Sequence, residues 1–258
     1  IGMGYTTKGG ETLNGVAAWT THYASWAAAA GLGSKISAFV DGAANMIMTL
    51  RNRAGDESVR NIRTKTLEVS GDGDKSLSLF DDPADVKGTA MLTFSHGLKP
   101  DDQWLYLPAI KRVKRISSKN KSGPFMGSEF AFEDLGSQEI EKYSYRYLAE
   151  ESCGSGWKCH KIERTPAYKY SGYTRQVSWV DQGDYQLRKV EFYDRRGDLL
   201  KVLELSDYRN YEGIWRAHKL SMSNVQTNKQ TDLVYGDYRF GTGLAENDFV
   251  KGRLSRLR

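Results

Sequence analysis

Hydrophobic and polar residues alternate with a period of two along most of this chain, and the alternation starts abruptly near residue 43. In the run 44–51, Ala44, Met46, Met48 and Leu50 alternate with Asn45, Thr49 and Arg51, and Ile47 is the exception. A strand sends successive side chains to opposite faces, so this pattern gives one apolar face and one wet face. Residues 52–56 read as a turn and 58–69 as the returning strand, which together make a hairpin. Further strands are predicted over 75–80, 88–95, 103–107 and 111–116, then over 139–148, 157–164, 174–180, 186–194, 199–208, 214–224 and 230–239. Turns at 154–156, 181–184, 195–198 and 211–213 separate the later ones. Short strands joined by tight turns predict a mainly β (α+β) fold. The expected form is a strongly curved antiparallel sheet of roughly ten to twelve strands, closing into a half-open β-barrel.

Residues 1–42 follow a different period. A helix is predicted over 16–30, with Trp19, Tyr23 and Trp26 on one face and four consecutive alanines at 27–30. Such a helix could serve the barrel as plug or lid. The expected organisation is an N-terminal segment, 1–42, followed by a half-barrel domain, 43–258. With no low-complexity linker between them, this makes a single domain overall. No run of apolar residues is long enough for a membrane-crossing helix. The chain starts at Ile1 and not at Met, which fits a mature protein whose signal peptide has been removed and equally a boundary chosen elsewhere.

Composition supports strands. Aromatic residues make up 12% of the chain, led by 15 tyrosines, and such side chains favour a pleated, half-buried surface. A net charge of +5 would suit an anionic partner, but the charge is spread along the chain instead of being gathered in a tail. Cys153 and Cys159 are the only cysteines, and the Gly-Ser-Gly-Trp-Lys spacer lets a hairpin tip bring them together. A disulfide of this size would contribute roughly 2–3 kcal/mol and would place the protein in an oxidising compartment.

Signals of catalysis are absent. His22, His96, His160 and His218 share no ligand spacing, and no zinc, calcium, CxxC or nucleophile-elbow motif occurs. No enzymatic activity, metal or cofactor is expected. Glu133 and Asp134 form a carboxylate pair, which next to a basic strand is expected to balance charge. A nucleic-acid surface built on residues 111–115 is disfavoured by the extracytoplasmic disulfide.

A lipid carrier uses more of these features. If one sheet face carries Met46, Met48, Leu50, Leu92, Phe94, Val190 and Phe192, it lines an apolar cavity for acyl chains, unless the same residues close into a packed core. Periodicity alone leaves both possibilities open.

The least generic stretch is 104–135. It contains Tyr106-Leu107-Pro108, the basic run Lys111-Arg112-Val113-Lys114-Arg115-Ile116, a polar loop at 117–122, and Phe125-Met126-Gly127-Ser128-Glu129-Phe130 continuing to Asp134. This succession resembles the signature of the LolA-like outer membrane lipoprotein-sorting protein family, with Glu129 where the family has Asp. The similarity extends upstream through Met48-Thr49-Leu50-Arg51-Asn52-Arg53-Ala54-Gly55 and downstream along the meander. Residues 1–40 do not match the charged helix that precedes the first strand in the family.

The resemblance implies a periplasmic carrier of acylated cargo that moves lipids or lipoproteins between an inner-membrane transporter and the outer membrane. It also implies an RND- or MmpL-type transporter partner and transient contact with a membrane surface. Lys111, Arg112, Lys114, Arg115, Phe125, Met126, Glu129, Phe130 and Asp134 are then expected to meet lipid head groups or a partner. The alternative is an interaction subunit docked on such a transporter, with its barrel packed solid.

Overall fold

The computed structural model describes residues 41–69, 73–97, 99–136, 142–154, 156–211 and 214–257, so the helix expected over 16–30 lies outside the described residues. Thirteen strands form one curved, open antiparallel sheet. The first six are β1 (Asp41–Arg51), β2 (Glu57–Leu67), β3 (Asp74–Asp82), β4 (Ala90–Ser95), β5 (Asp102–Leu107) and β6 (Arg112–Arg115). The second run comprises β7 (Tyr143–Ser152), β8 (Lys158–Pro166), β9 (Arg175–Asp181), β10 (Leu187–Tyr193), β11 (Leu199–Tyr211), β12 (Ile214–Asn224) and β13 (Lys229–Phe240). All thirteen stretches read from the sequence as strands are strands, so the expected total of ten to twelve is slightly low.

The strand order is β6-β5-β4-β3-β2-β1-β13-β12-β11-β10-β9-β8-β7. Every neighbouring pair is consecutive in sequence except β1 with β13, which meet at the centre of the sheet. The edges are therefore β6 and β7, which are consecutive in the chain yet lie at opposite ends of the sheet. The connection between them must cross one face, called here the inner face. Register shifts insert an extra residue into β13 against β1, into β3 against β2, into β7 against β8 and into β10 against β9, and bulges of this kind increase local twist and bend the sheet.

The main core lies on the inner face. Alternation places Met46 and Met48 of β1, Leu233 of β13, Met222 of β12, Leu203 of β11 and Val190 and Phe192 of β10 in one stripe, continued by Ile62, Phe80, Met91 and Leu105. Ile47, the exception in the pattern of β1, points to the opposite, outer face and is 46% exposed.

A second core lies on that outer face, where Leu67, Leu77, Leu79, Ala90 and Leu92 pack against Phe249 and Leu254 of the chain's end. Residues 248–257 include a 3-10 turn, Lys251–Arg256, seated on β4, β5 and β6. Two buried side chains, Phe249 and Leu254, supply the apolar anchors.

Candidate functional site

The crossing segment, 121–136, is built around two tight features. Met126 and Gly127 take left-handed backbone conformations, and Ser128 closes the turn by donating its hydroxyl to the Phe125 carbonyl at 2.7 Å. This reversal points Phe125 and Phe130 in the same direction, down onto the apolar stripe of the sheet. Phe125 is 1% exposed and meets Phe80 at 5.8 Å and Phe132 at 5.6 Å between ring centroids. Tyr173, from the loop before β9, adds a further ring 5.0 Å from Phe192.

Polar bonds hold the segment around its rim. Arg60 of β2 donates to the Met126 carbonyl at 2.6 Å, and Gln103 of β5 donates to the Phe132 carbonyl at 2.9 Å. On the other flank, the Thr231 hydroxyl accepts from the Glu129 amide at 3.0 Å, and the Asn224 amide donates to the Glu129 carboxylate at 2.7 Å. Lys201 of β11 donates to both the Glu129 carbonyl and the Asp134 carboxylate, each at 2.7 Å. This ion pair is nearly inaccessible to water, with side-chain exposures of 4% and 7%. The Tyr173 hydroxyl donates to Asp134 at 2.8 Å.

Glu133 accepts from the Tyr168 hydroxyl, the Ser171 hydroxyl and the Gly172 amide at 2.9, 2.9 and 2.8 Å. Burial, reinforced by the neighbouring Asp134 charge, pushes the Glu133 carboxyl above its ordinary value, and the three donors oppose that shift. Gly172 is required there, because a Cβ would lie 2.9 Å from both the Glu133 carboxylate and the Ser122 side chain. The start of the segment, in the polar loop 117–122, is pinned as well. Lys121 and Lys142 converge on Asp101, with Lys142 Nζ at 2.5 Å from its carboxylate.

The inner face continues beyond this segment as a half-buried aromatic shelf. Tyr211 stacks on the buried His218, and its hydroxyl lies 2.6 Å from His218 Nε2. Tyr238 stacks between Tyr235 and Phe240 and meets both Tyr211 and His218 edge-on. Burial pushes the Tyr235 hydroxyl up to about 12 and the His218 imidazole down, so both are neutral near pH 7. Farther along, Tyr145, Tyr147, Tyr185 and Leu187 pack on Ile162 and Val180.

The residues singled out in the sequence are thus brought together in part. Met46, Met48, Val190 and Phe192 share the inner core, with Leu50 packed against it. Leu92 and Phe94 belong to the outer core under the chain's end, because Met91 is the residue of β4 that faces inward. The continuous apolar run of β4 hides this parity. Phe125 and Phe130, expected at a surface, are buried on the stripe, Met126 is half-buried there, and Glu129 and Asp134 are rim bonds of the same segment.

Among the described residues singled out in the sequence, those of the basic strand are exposed. Lys111, Arg112 and Lys114 are exposed, and Arg115 pairs with Asp102. Sequence reasoning missed Lys201, Tyr173 and the shelf tyrosines. The bulge marked by Gly236-Asp237 between Tyr235 and Tyr238 is the one local signal for the shelf.

Cys153 and Cys159 form the expected disulfide at the tip of the β7–β8 hairpin. Beside it, the outer face has an open cleft of about 510 Å³ lined by Trp157, Trp179, Arg188, Lys189, Glu204 and Lys219 among others. So many charges make it unsuited to an acyl chain, which favours the inner face as the apolar site. Among the described residues, no group of three or more His, Cys, Asp or Glu could hold a metal ion.

A family model described as "uncharacterized protein" matches residues 72–256. An outer membrane lipoprotein-sorting protein domain from Vibrio parahaemolyticus, described as such from its crystal structure, is 56% identical; the match covers 84% of this chain and 92% of that one, with a TM-score of 0.82. A DUF1329 family protein from Desulfovibrio piger is 30% identical over 86% of this chain and 94% of its own, with a TM-score of 0.81. A LolA superfamily protein from Nitrosomonas europaea, 21% identical over 83% and 91% of the two chains, shares the fold with a TM-score of 0.67. No curated protein matches the chain.

Proposed function

This chain belongs to the LolA-like outer membrane lipoprotein-sorting protein family, and from that premise we propose that it is a non-enzymatic carrier that holds acyl chains of lipids or lipoproteins on its inner face. One observation carries this proposal: the apolar stripe is covered by phenyl rings from a segment whose rim is fastened by hydrogen bonds and ion pairs. Rings seated this way can be exchanged for acyl chains of similar apolarity. Each buried methylene contributes roughly 0.8 kcal/mol, so a long chain supplies ample driving force without special chemistry. The aromatic shelf beside the segment offers a half-buried surface from which exchange can start.

Such a carrier works in the periplasm, an oxidising compartment that suits the Cys153–Cys159 disulfide. It would take its cargo from an inner-membrane transporter of RND or MmpL type and deliver it toward the outer membrane. Native mass spectrometry after gentle purification tests the proposal, together with titration of a fluorescent fatty acid. The expected result is a co-purifying lipid, or probe binding that strengthens in the Phe125→Ala/Phe130→Ala variant. A protein that holds no lipid and binds no probe in either form would sink it.

A second reading is favoured by the closeness of the packing. Met48 and Met222 are each 0% exposed, which supports a core closed by the chain's own side chains. On this reading the protein is a docking subunit of the same transporter. Its signature would be transporter co-purification that is insensitive to Phe125→Ala/Phe130→Ala, with no lipid bound.

A further inference from the structure

The alternation that makes the sheet leaves one edge strand, β6, with cations on both of its faces. Lys111, Arg112 and Lys114 are exposed, and their side chains make no ion pair or hydrogen bond among the described residues. Arg115 alone has a counter-ion, Asp102. A second set of cations reaches the same place from the other end of the chain. The turn Lys251–Arg256 is seated on β4, β5 and β6 through the buried Leu254, which leaves Lys251, Arg253 and Arg256 exposed around it. Lys251 Nζ lies 5.8 Å from the centre of the Trp104 ring.

The two segments that meet here, 108–120 and 250–257, contain no acidic residue. Each also exposes an apolar side chain beside its cations: Ile110 precedes Lys111, and Val250 precedes Lys251. Such a platform attracts a plane of negative charge, and its apolar members can enter the interfacial layer.

We infer that β6 and the C-terminal turn together form a docking surface for an anionic lipid bilayer. An acidic strand added to the β6 edge is the competing partner. It would find a ladder of only four residues and would leave the cations of the turn unused. A bilayer engages both sets at once. The surface lies along the β6 edge, where Lys114 and Arg112 pair with Leu105 and Leu107 and the turn covers the opposite face, and the inference does not depend on what the inner face carries.

Co-sedimentation of the cargo-free protein with vesicles tests the inference. One set of vesicles contains phosphatidylethanolamine and phosphatidylglycerol, and the other only phosphatidylcholine. Binding is expected to the anionic vesicles alone and to be released by added salt, because exposed charges are screened over short distances. Lys111→Glu/Arg112→Glu/Lys114→Glu should reduce it by roughly tenfold or more, and Arg253→Glu/Arg256→Glu should also reduce it severalfold. Lys158→Glu/Lys229→Glu, on exposed strand positions elsewhere, should leave it unchanged. All variants are checked for an unaltered circular dichroism spectrum. Equal binding to neutral vesicles, or no loss in either variant, would overturn the inference. So would a loss confined to the β6 variant, which is the pattern an acidic strand partner predicts.

Discussion

Lys201 and Asp134 are nearly inaccessible to water, and each serves as the other's counter-ion. Removing one partner strands a buried charge, so Asp134→Ala should destabilise the protein by about 3–5 kcal/mol, whereas Asp134→Leu with Lys201→Met should recover much of that loss. Urea unfolding of the single and double variants measures both. Glu133 has a different pH signature from a surface carboxylate. Its folded-state value is raised, so the folded chain binds the proton more tightly than the unfolded chain. The sign follows directly: the contribution is fully present below the ordinary glutamate value of 4.5 and is lost as pH rises through the higher folded value. Glu133→Gln should remove this decline, so the difference in urea midpoint between wild type and variant should change across that window. A constant difference would show that Glu133 titrates as if exposed. At Gly172 the constraint is steric, and Gly172→Ala should separate the Glu133 and Ser122 side chains at a cost of about 1–3 kcal/mol.

At the scale of elements, β4 has both faces covered, one by the inner core and one by the chain's end. Its sequence therefore reads as a continuous apolar run in which parity cannot be seen, and Leu92 and Phe94 look equivalent to Met46. The C-terminal turn depends on Leu254, which is 1% exposed. Leu254→Ala should cost about 2–3 kcal/mol, and limited proteolysis should then cut at Arg253 well before the sheet is attacked. The Cys153–Cys159 hairpin closes only a short loop, so replacing both cysteines with serine should cost roughly 2 kcal/mol, measured as a lower melting temperature. The crossing segment is fastened by side chains more than by a ladder. Its amides at 122–135 should exchange with deuterium ahead of those in β1 and β13, a difference that mass spectrometry resolves.

At the scale of the whole molecule, the strand order explains why the most distinctive sequence stretch matters. β6 and β7 are the two edges, so the chain between them must traverse a face of the sheet. The stretch 104–135 supplies the edge strand, with its free cations, and the rings that cover the inner core. The period-two alternation, the short apolar run of β4 and the turn residues by themselves marked the stretches that become strands, because extended backbone and its side-chain parity are local properties. The spacing of two cysteines around glycines likewise determined the disulfide. Tertiary structure alone decided that β1 pairs with β13, since that contact joins residues almost 200 positions apart. It also decided that Phe125 and Phe130 turn inward, that Lys201 reaches Asp134, and that Lys251–Arg256 joins β6. Each of these is a contact between segments remote in sequence, fixed by which apolar surfaces the folded sheet leaves to be covered, and local pattern carries no record of that choice.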